Sequence, residues 1–133
     1  MFVDASAIVA ILNREPEADT FADAIEASAA PVTSPIAVFE ATLGLCRIRH
    51  ATVEEAAADV AEFLSVAAVQ CLPIASEEAD TALVAAARYG KGRGHPAQLN
   101  LGDCFAYAMA RNRRIPLLFK GDDFTKTDID SAV

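Results

Sequence analysis

Short apolar runs in this chain alternate with longer stretches whose apolar residues recur every three or four positions. That is the pattern of strands alternating with helices. "MFVDAS" opens on an apolar pair and predicts a short strand with Asp4 at its carboxyl end. "SAIVAILN" predicts a helix with Ser6 as its N-cap. "EPEADTFADAIEAS" sets Phe21, Ala24 and Ile25 on one helical face and its acids on the other. "APVTS" predicts a second strand, and "PIAVFEATLGLCRIRH" a helix that contains Glu40 and begins on a tolerated proline. "TVEEAAADVAEFLSV" starts with Thr52 and Glu55 at capping-box spacing. "VQCLPI" predicts a third strand. "SEEADTALVAAARYG" repeats the cap-then-helix pattern, with Gly90 as the C′ residue. "KGRGHPAQ" reads as a loop, "LGDCFAYAMARNR" as a helix, "PLLFK" as a fourth strand and "GDDFTKTDIDSAV" as a closing loop and tail. The alternation predicts an α/β domain with a mostly parallel sheet flanked by helices. With no repeat, low-complexity tract or linker, residues 1–133 read as one domain.

Composition narrows the class. Hydrophobic residues are 53% of the chain, enough for a packed core and too many for a disordered one. No apolar run reaches the ~18 residues of a membrane span, and the N-terminus lacks the basic region of a signal peptide. A cytoplasmic protein with no membrane partner is expected. Cys46, Cys71 and Cys104 are scattered within apolar segments, which predicts small buried hydrophobes in a reducing compartment. With only His50 and His95 besides, a zinc site is not expected. The net charge of −8 disfavours nucleic acid as a partner. Yet seven of the eleven basic residues fall between positions 88 and 120, where the only acid is Asp103. A phosphate backbone and an ordinary solvated surface are both open to that region.

The acids carry the chemistry. Ligands of an open parallel sheet bind beyond the carboxyl ends of its strands. Asp4 ends the first strand there, Asp122 and Asp123 follow the fourth, and Asp103 heads a helix just after a loop. Glu40 sits mid-helix among Val38, Phe39, Leu43 and Leu45, a setting that turns it inward. Converging carboxylates repel, and a hard divalent cation such as Mg²⁺ or Mn²⁺ removes that repulsion. Such a cation also activates water for attack on a phosphodiester. Each acid has a plainer role open to it: Asp4 as a helix cap, Asp103 as a dipole partner, Glu40 on a solvated stripe, Asp122 and Asp123 as turn residues. Singly none is specific; three on one sheet edge are more telling.

"FVDASAIVAIL", Glu40 in "SPIAVFEATLGL", "HPAQLNLGDCFAYAMA" and "PLLFKGDDFTKTDI" together resemble the PIN-domain ribonucleases, specifically the VapC toxins of type II toxin–antitoxin systems. The resemblance covers nearly the whole chain, and the two later segments are its most specific parts. It implies an α/β/α sandwich and an acidic Mg²⁺ or Mn²⁺ pocket. The family's acids match Asp4, Glu40, Asp103 and Asp123, with Asp122 competing for the fourth place. Ser6 matches the polar residue two after the first acid, and Asn100 belongs to the family's "LN-x-GD" pattern.

The resemblance further implies cleavage of a tRNA or ribosomal RNA loop, which arrests translation. It implies a homodimer, a VapB-type antitoxin that blocks the pocket, and operator DNA bound only through the antitoxin complex. The expected arrangement has Asp4, Asp103 and Asp123 on the metal and Glu40 binding it or orienting the water. Arg88, Lys91, Arg93, Arg111, Arg113 and Arg114 are candidates for RNA backbone contacts. The helices around "VFEATLGLCRI" and "AEFLSVA" are candidate dimer faces. One competing reading is a catalytically silent PIN-like domain that binds RNA or a partner. Another is a small nucleotide phosphatase, disfavoured because "GKGRG" matches neither phosphate-cradle pattern.

Overall fold

The computed structural model describes residues 1–133. Four two-residue strands, β1 (Phe2–Val3), β2 (Val32–Thr33), β3 (Gln70–Cys71) and β4 (Leu117–Leu118), form one sheet in the order β3-β2-β1-β4. Every pairing is parallel, with Phe2 opposite both Val32 and Leu117. Six helices flank it: α1 (Ala5–Leu12), α2 (Ala18–Ala27), α3 (Pro35–Arg49), α4 (Val53–Val66), α5 (Ser76–Tyr89) and α6 (Leu101–Arg113). This is the α/β architecture with helix pairs between successive strands that the hydrophobic pattern predicts.

The core explains why such short strands hold. Phe2, Val3, Leu117 and Leu118 are fully buried, as central parallel strands require. Each such side chain contributes about 2 kcal/mol by leaving water. Alanine-rich faces of α1 and α6 pack tightly on them: Ala7, Ala10, Ala108 and Ala110 are fully buried.

Several local expectations need correction. Asp4, not Ser6, caps α1, because the helix begins one residue after the strand ends. Ser6 instead sits inside the first turn and donates to that cap. The cap of α5 is Ala75, not Ser76, and its free N–H is taken by Glu78 at 2.9 Å. Gly90 is no left-handed C′ residue. Its φ is −66°, and a Cβ there would lie 2.3 Å from the Ala86 carbonyl oxygen. Cys104 is buried, but Cys71 is exposed because β3 is the edge strand. The tail is also more than a loop. Ser131 bridges Leu117, whose N–H donates to Asp130 and whose carbonyl accepts from Ala132, both at 2.9 Å. The Thr52–Glu55 capping box forms as its spacing predicts.

Candidate active site

The chain runs outward from β1 through β2 to β3, then returns across β1 to form β4. Beside β1, therefore, the winding reverses, and a crevice opens at the carboxyl edge, where α/β sheets bind ligands. Asp4 enters it from the end of β1. The loop after β4 carries Lys120, Asp122 and Asp123 beside it. Helices α3 and α6 start at this edge, since each runs back against the strands it connects, so Glu40 and Asp103 reach the crevice from their early turns.

An open pocket of about 470 Å³ is lined by Asp4, Ser6, Glu15, Glu40, Asn100 and Asp103, with Arg47 and Lys120 among its other walls. Three of the four sequence-assigned acids thus meet in one place. A larger hollow of about 580 Å³ lies beside Phe63 and Val66, but Glu26 is its only titratable lining. The titratable groups gather in the acidic pocket.

The two aspartates are held by hydrogen bonds from their own segments. Asp4 is 4% exposed, and its Oδ2 accepts the Ser6 N–H at 3.0 Å and the Ser6 hydroxyl at 2.5 Å. Ser6 Oγ in turn accepts the Lys120 N–H at 3.0 Å, tying α1 to the loop after β4. Asp103 Oδ2 accepts the Asn100 N–H at 3.0 Å while the Asp103 N–H donates to Asn100 Oδ1 at 2.9 Å. This reciprocal capping box fixes Asp103 at the head of α6. Glu40 makes no side-chain hydrogen bond, and its carboxylate lies where a Cβ on residue 102 would be. A methyl group there would fall 1.8 Å from Oε1, so only glycine fits while Glu40 keeps this position.

Electrostatics follow from crowding in a dry setting. Burial raises the proton affinity of Asp4 against the opposing bonds from Ser6. Burial, then Asp4, then Asp103 push Glu40 up to about 7. Asp103 rises to about 6 through burial, opposed by the Asn100 N–H and reinforced by Asp4 and Asp123. Carboxylates so raised are a donor set short of positive charge, and hard oxygen donors suit Mg²⁺ or Mn²⁺. As placed, no three of these side chains surround a point as metal ligands. Mg²⁺ asks for less, being held through one or two carboxylates and its own waters.

The remaining candidates separate. Asp123 stands outside the pocket wall, yet its charge acts on Asp103. Asp122 lends its backbone carbonyl to Thr125, whose N–H and hydroxyl both donate to it. Lys91 and Arg93 line an apolar groove that shares Asn100 with the acidic pocket. The other basic candidates are not brought to the acids. Arg113 binds the buried Glu78 at 2.7 Å, and Arg88 and Arg111 approach Asp128 at 3.6 and 3.4 Å. Arg114 caps the far end of α6, about 18 Å of helix from Asp103's end.

Sequence reasoning passed over Gly102, Arg47, Glu15 and Lys120. Gly102 was visible as the glycine of "LN-x-GD", and Arg47 as the residue two turns beyond Glu40. Glu15 carries no such signal. It is brought in from the loop after α1 by Lys120, which pairs with both Glu15 and Glu17.

The PIN domain model matches residues 1–130. A VapC ribonuclease of Rhizobium meliloti is 41% identical, over 96% of this chain and 98% of that protein. Ribonuclease VapC28 of Mycobacterium tuberculosis is 38% identical, over 100% of this chain and 98% of its own. Among solved structures, the sarcin–ricin loop cleaving toxin VapC20 of M. tuberculosis superposes with a TM-score of 0.75 at 18% identity, covering 96% of this chain and 95% of that one. A toxin–antitoxin complex from Klebsiella pneumoniae gives 0.64 at 18% identity, covering 92% and 88%. The acid-lined crevice at the switch point sits in a chain that belongs to the PIN domain family, among the VapC ribonucleases.

Proposed function

We propose that the chain is a metal-dependent endoribonuclease, the toxin of a toxin–antitoxin pair, working in the cytoplasm as a single PIN domain over residues 1–133. The observation that carries this reading is the meeting of Asp4, Glu40 and Asp103 in one pocket with raised proton affinities. The names of the relatives supply the substrate class, RNA, and the loop cleaved by VapC20 makes a ribosomal or transfer RNA loop the first substrate to try.

In this reading Asp4 and Asp103 would offer their carboxylates to a divalent ion, Mg²⁺ or Mn²⁺, and Asp123 would complete the set from the loop after β4. Asp122 is the weaker candidate, because its charge is not among those that act on Asp103. When bound, such an ion would supply an activated water and neutralise charge on the phosphoryl oxygens. Ser6 and Asn100 hold the two aspartates in place, so little reorganisation remains when substrate arrives. Glu40, free of other side-chain bonds, would help hold the ion or orient a water and accept its proton at a carboxylate oxygen. Lys91 and Arg93 contact RNA phosphates where their groove meets Asn100. A VapB-type antitoxin, by analogy with the K. pneumoniae complex, would cover the pocket, and the homodimer and operator binding through that complex belong to the same reading.

The test is incubation of total RNA with purified protein in Mg²⁺, Mn²⁺ or EDTA, beside the Asp4→Asn variant. Discrete fragments should form with metal and vanish with EDTA and with the variant. Folded, antitoxin-free protein that cuts nothing would favour a silent RNA- or partner-binding domain.

A further inference from the structure

We propose that Arg47 anchors the substrate, its guanidinium gripping an RNA phosphate next to the one that lies over Asp4 and Asp103. The inference rests on the ribonuclease reading for the identity of the polyanion. Its evidence is independent of that reading. Four carboxylates, Asp4, Glu15, Glu40 and Asp103, line the pocket, and such a surface repels RNA unless cations offset it. Only two basic side chains line it, Arg47 and Lys120. Lys120 is committed, its ammonium lying between Glu15 and Glu17, the latter at 3.2 Å.

Arg47 is exposed and forms no ion pair, whereas Arg49, two residues on, is bound to Asp59 at 2.8 Å. Glu40, Gly44 and Arg47 fall at positions i, i+4 and i+7 of α3, one face of the helix, and all three line the pocket. Arg47 therefore lies ~10 Å along the axis from Glu40. Gly44, between them, presents no side chain and lets Val9 pack against α3, a Cβ there lying 3.2 Å from Val9 Cγ2, so Gly44 and Val9 form a low, uncharged floor joining the acids to the guanidinium. A planar guanidinium suits the two free oxygens of a phosphodiester. The competing role is local: Arg47 lies in the last turn of α3, where any cation complements the helix dipole. That role affects folding and leaves RNA binding alone.

Fluorescence anisotropy on the full chain, with a fluorescein-labelled 12-nucleotide single-stranded RNA, separates the two. Asp4→Asn is the parent, so that no cleavage intrudes. Adding Arg47→Gln should weaken binding about tenfold and flatten the slope of log affinity against log salt by about 0.7, one phosphate contact. Arg47→Lys should keep the slope and recover part of the affinity, and Arg114→Gln, at the far end of α6, should change neither. In otherwise wild-type protein, Arg47→Gln should raise KM for RNA cleavage with kcat kept. Arg47→Gln matching its parent in affinity and slope, or Arg114→Gln weakening binding equally, would overturn the proposal. Wild-type protein that cuts no RNA, with Arg47-dependent binding intact, would sink hydrolysis and keep the anchor. Cleavage indifferent to Arg47 would sink the anchor alone.

Discussion

Replacing Gly102 by alanine tests the seat of Glu40 without touching a charged group. The added Cβ would lie 1.8 Å from Glu40 Oε1 and 2.3 Å from its Cδ. Ordinary van der Waals contact begins near 3.4 Å, so the carboxylate must withdraw by about 1.6 Å (3.4 − 1.8). It is the end of a flexible side chain bonded to nothing else, and withdrawal costs the fold little. Alanine is meanwhile the better helix former by about 1 kcal/mol. The variant should fold as well as wild type or better, with Tm unchanged or raised by up to about 4 °C. Activity should behave differently, because a displacement of about 1 Å at a reacting centre costs about a hundredfold. The assay pairs a melting curve with the rate of RNA cleavage at saturating Mg²⁺. Full activity in a stable Gly102→Ala protein would refute the claim that Glu40 must sit where it does. A melting temperature lowered by several degrees would refute the claim that it is free to move.

Asp123→Asn should abolish or sharply reduce RNA cleavage while Asp122→Asn leaves it nearly intact; equal losses in a rate assay would reverse the assignment. The raised proton affinities set a pH dependence for the metal-free fold. Glu40, carried from 4.5 to about 7, and Asp103, from 3.8 to about 6, hold protons in the folded state that the unfolded chain has released. Stability in EDTA should therefore fall as pH rises through roughly 4 to 7. Mg²⁺, which favours the ionised acids, should raise Tm more at pH 8 than at pH 5.5, and a pH-independent Mg²⁺ effect would contradict this. Arg113→Ala leaves Glu78, 5% exposed, without its partner. It should cost about 2 kcal/mol in a denaturant titration yet spare the cleavage rate of the protein that remains folded.

The fold was legible because its periodicities are clean: apolar pairs at β1 and β4, short runs with an apolar residue at β2 and β3, and six helical faces between them. What the pattern misplaces are choices between neighbouring polar residues. Asp4 and Ser6 are both good caps, and only the point at which β1 hands over to α1 decides for Asp4. Ser76 loses the cap of α5 because Glu78 reaches back to the Ala75 N–H. Cys71 looks core-bound until the sheet order puts β3 at the edge.

The acids of the site were legible one by one, since sheet topology gives Asp4, Asp103 and the "GDD" loop a common edge. Their basic counterparts were not. Charge clustering in sequence pointed to Arg111, Arg113 and Arg114. The turn of α6 carries these away from the acids, and Arg113 is spent on a buried glutamate. Arg47 lies outside that cluster, beside Arg49, and becomes notable only through the helical face it shares with Glu40.

End-group analysis of RNA cut by the wild-type protein in Mg²⁺ tests the central claim most directly. Hydrolysis by water at the acidic pocket leaves a 5′-phosphate and a 3′-hydroxyl and needs no ribose 2′-hydroxyl. A 2′,3′-cyclic phosphate, or cleavage that persists in EDTA, would contradict the account, because the ribose would then be the nucleophile and the converging carboxylates would have no part in activating water.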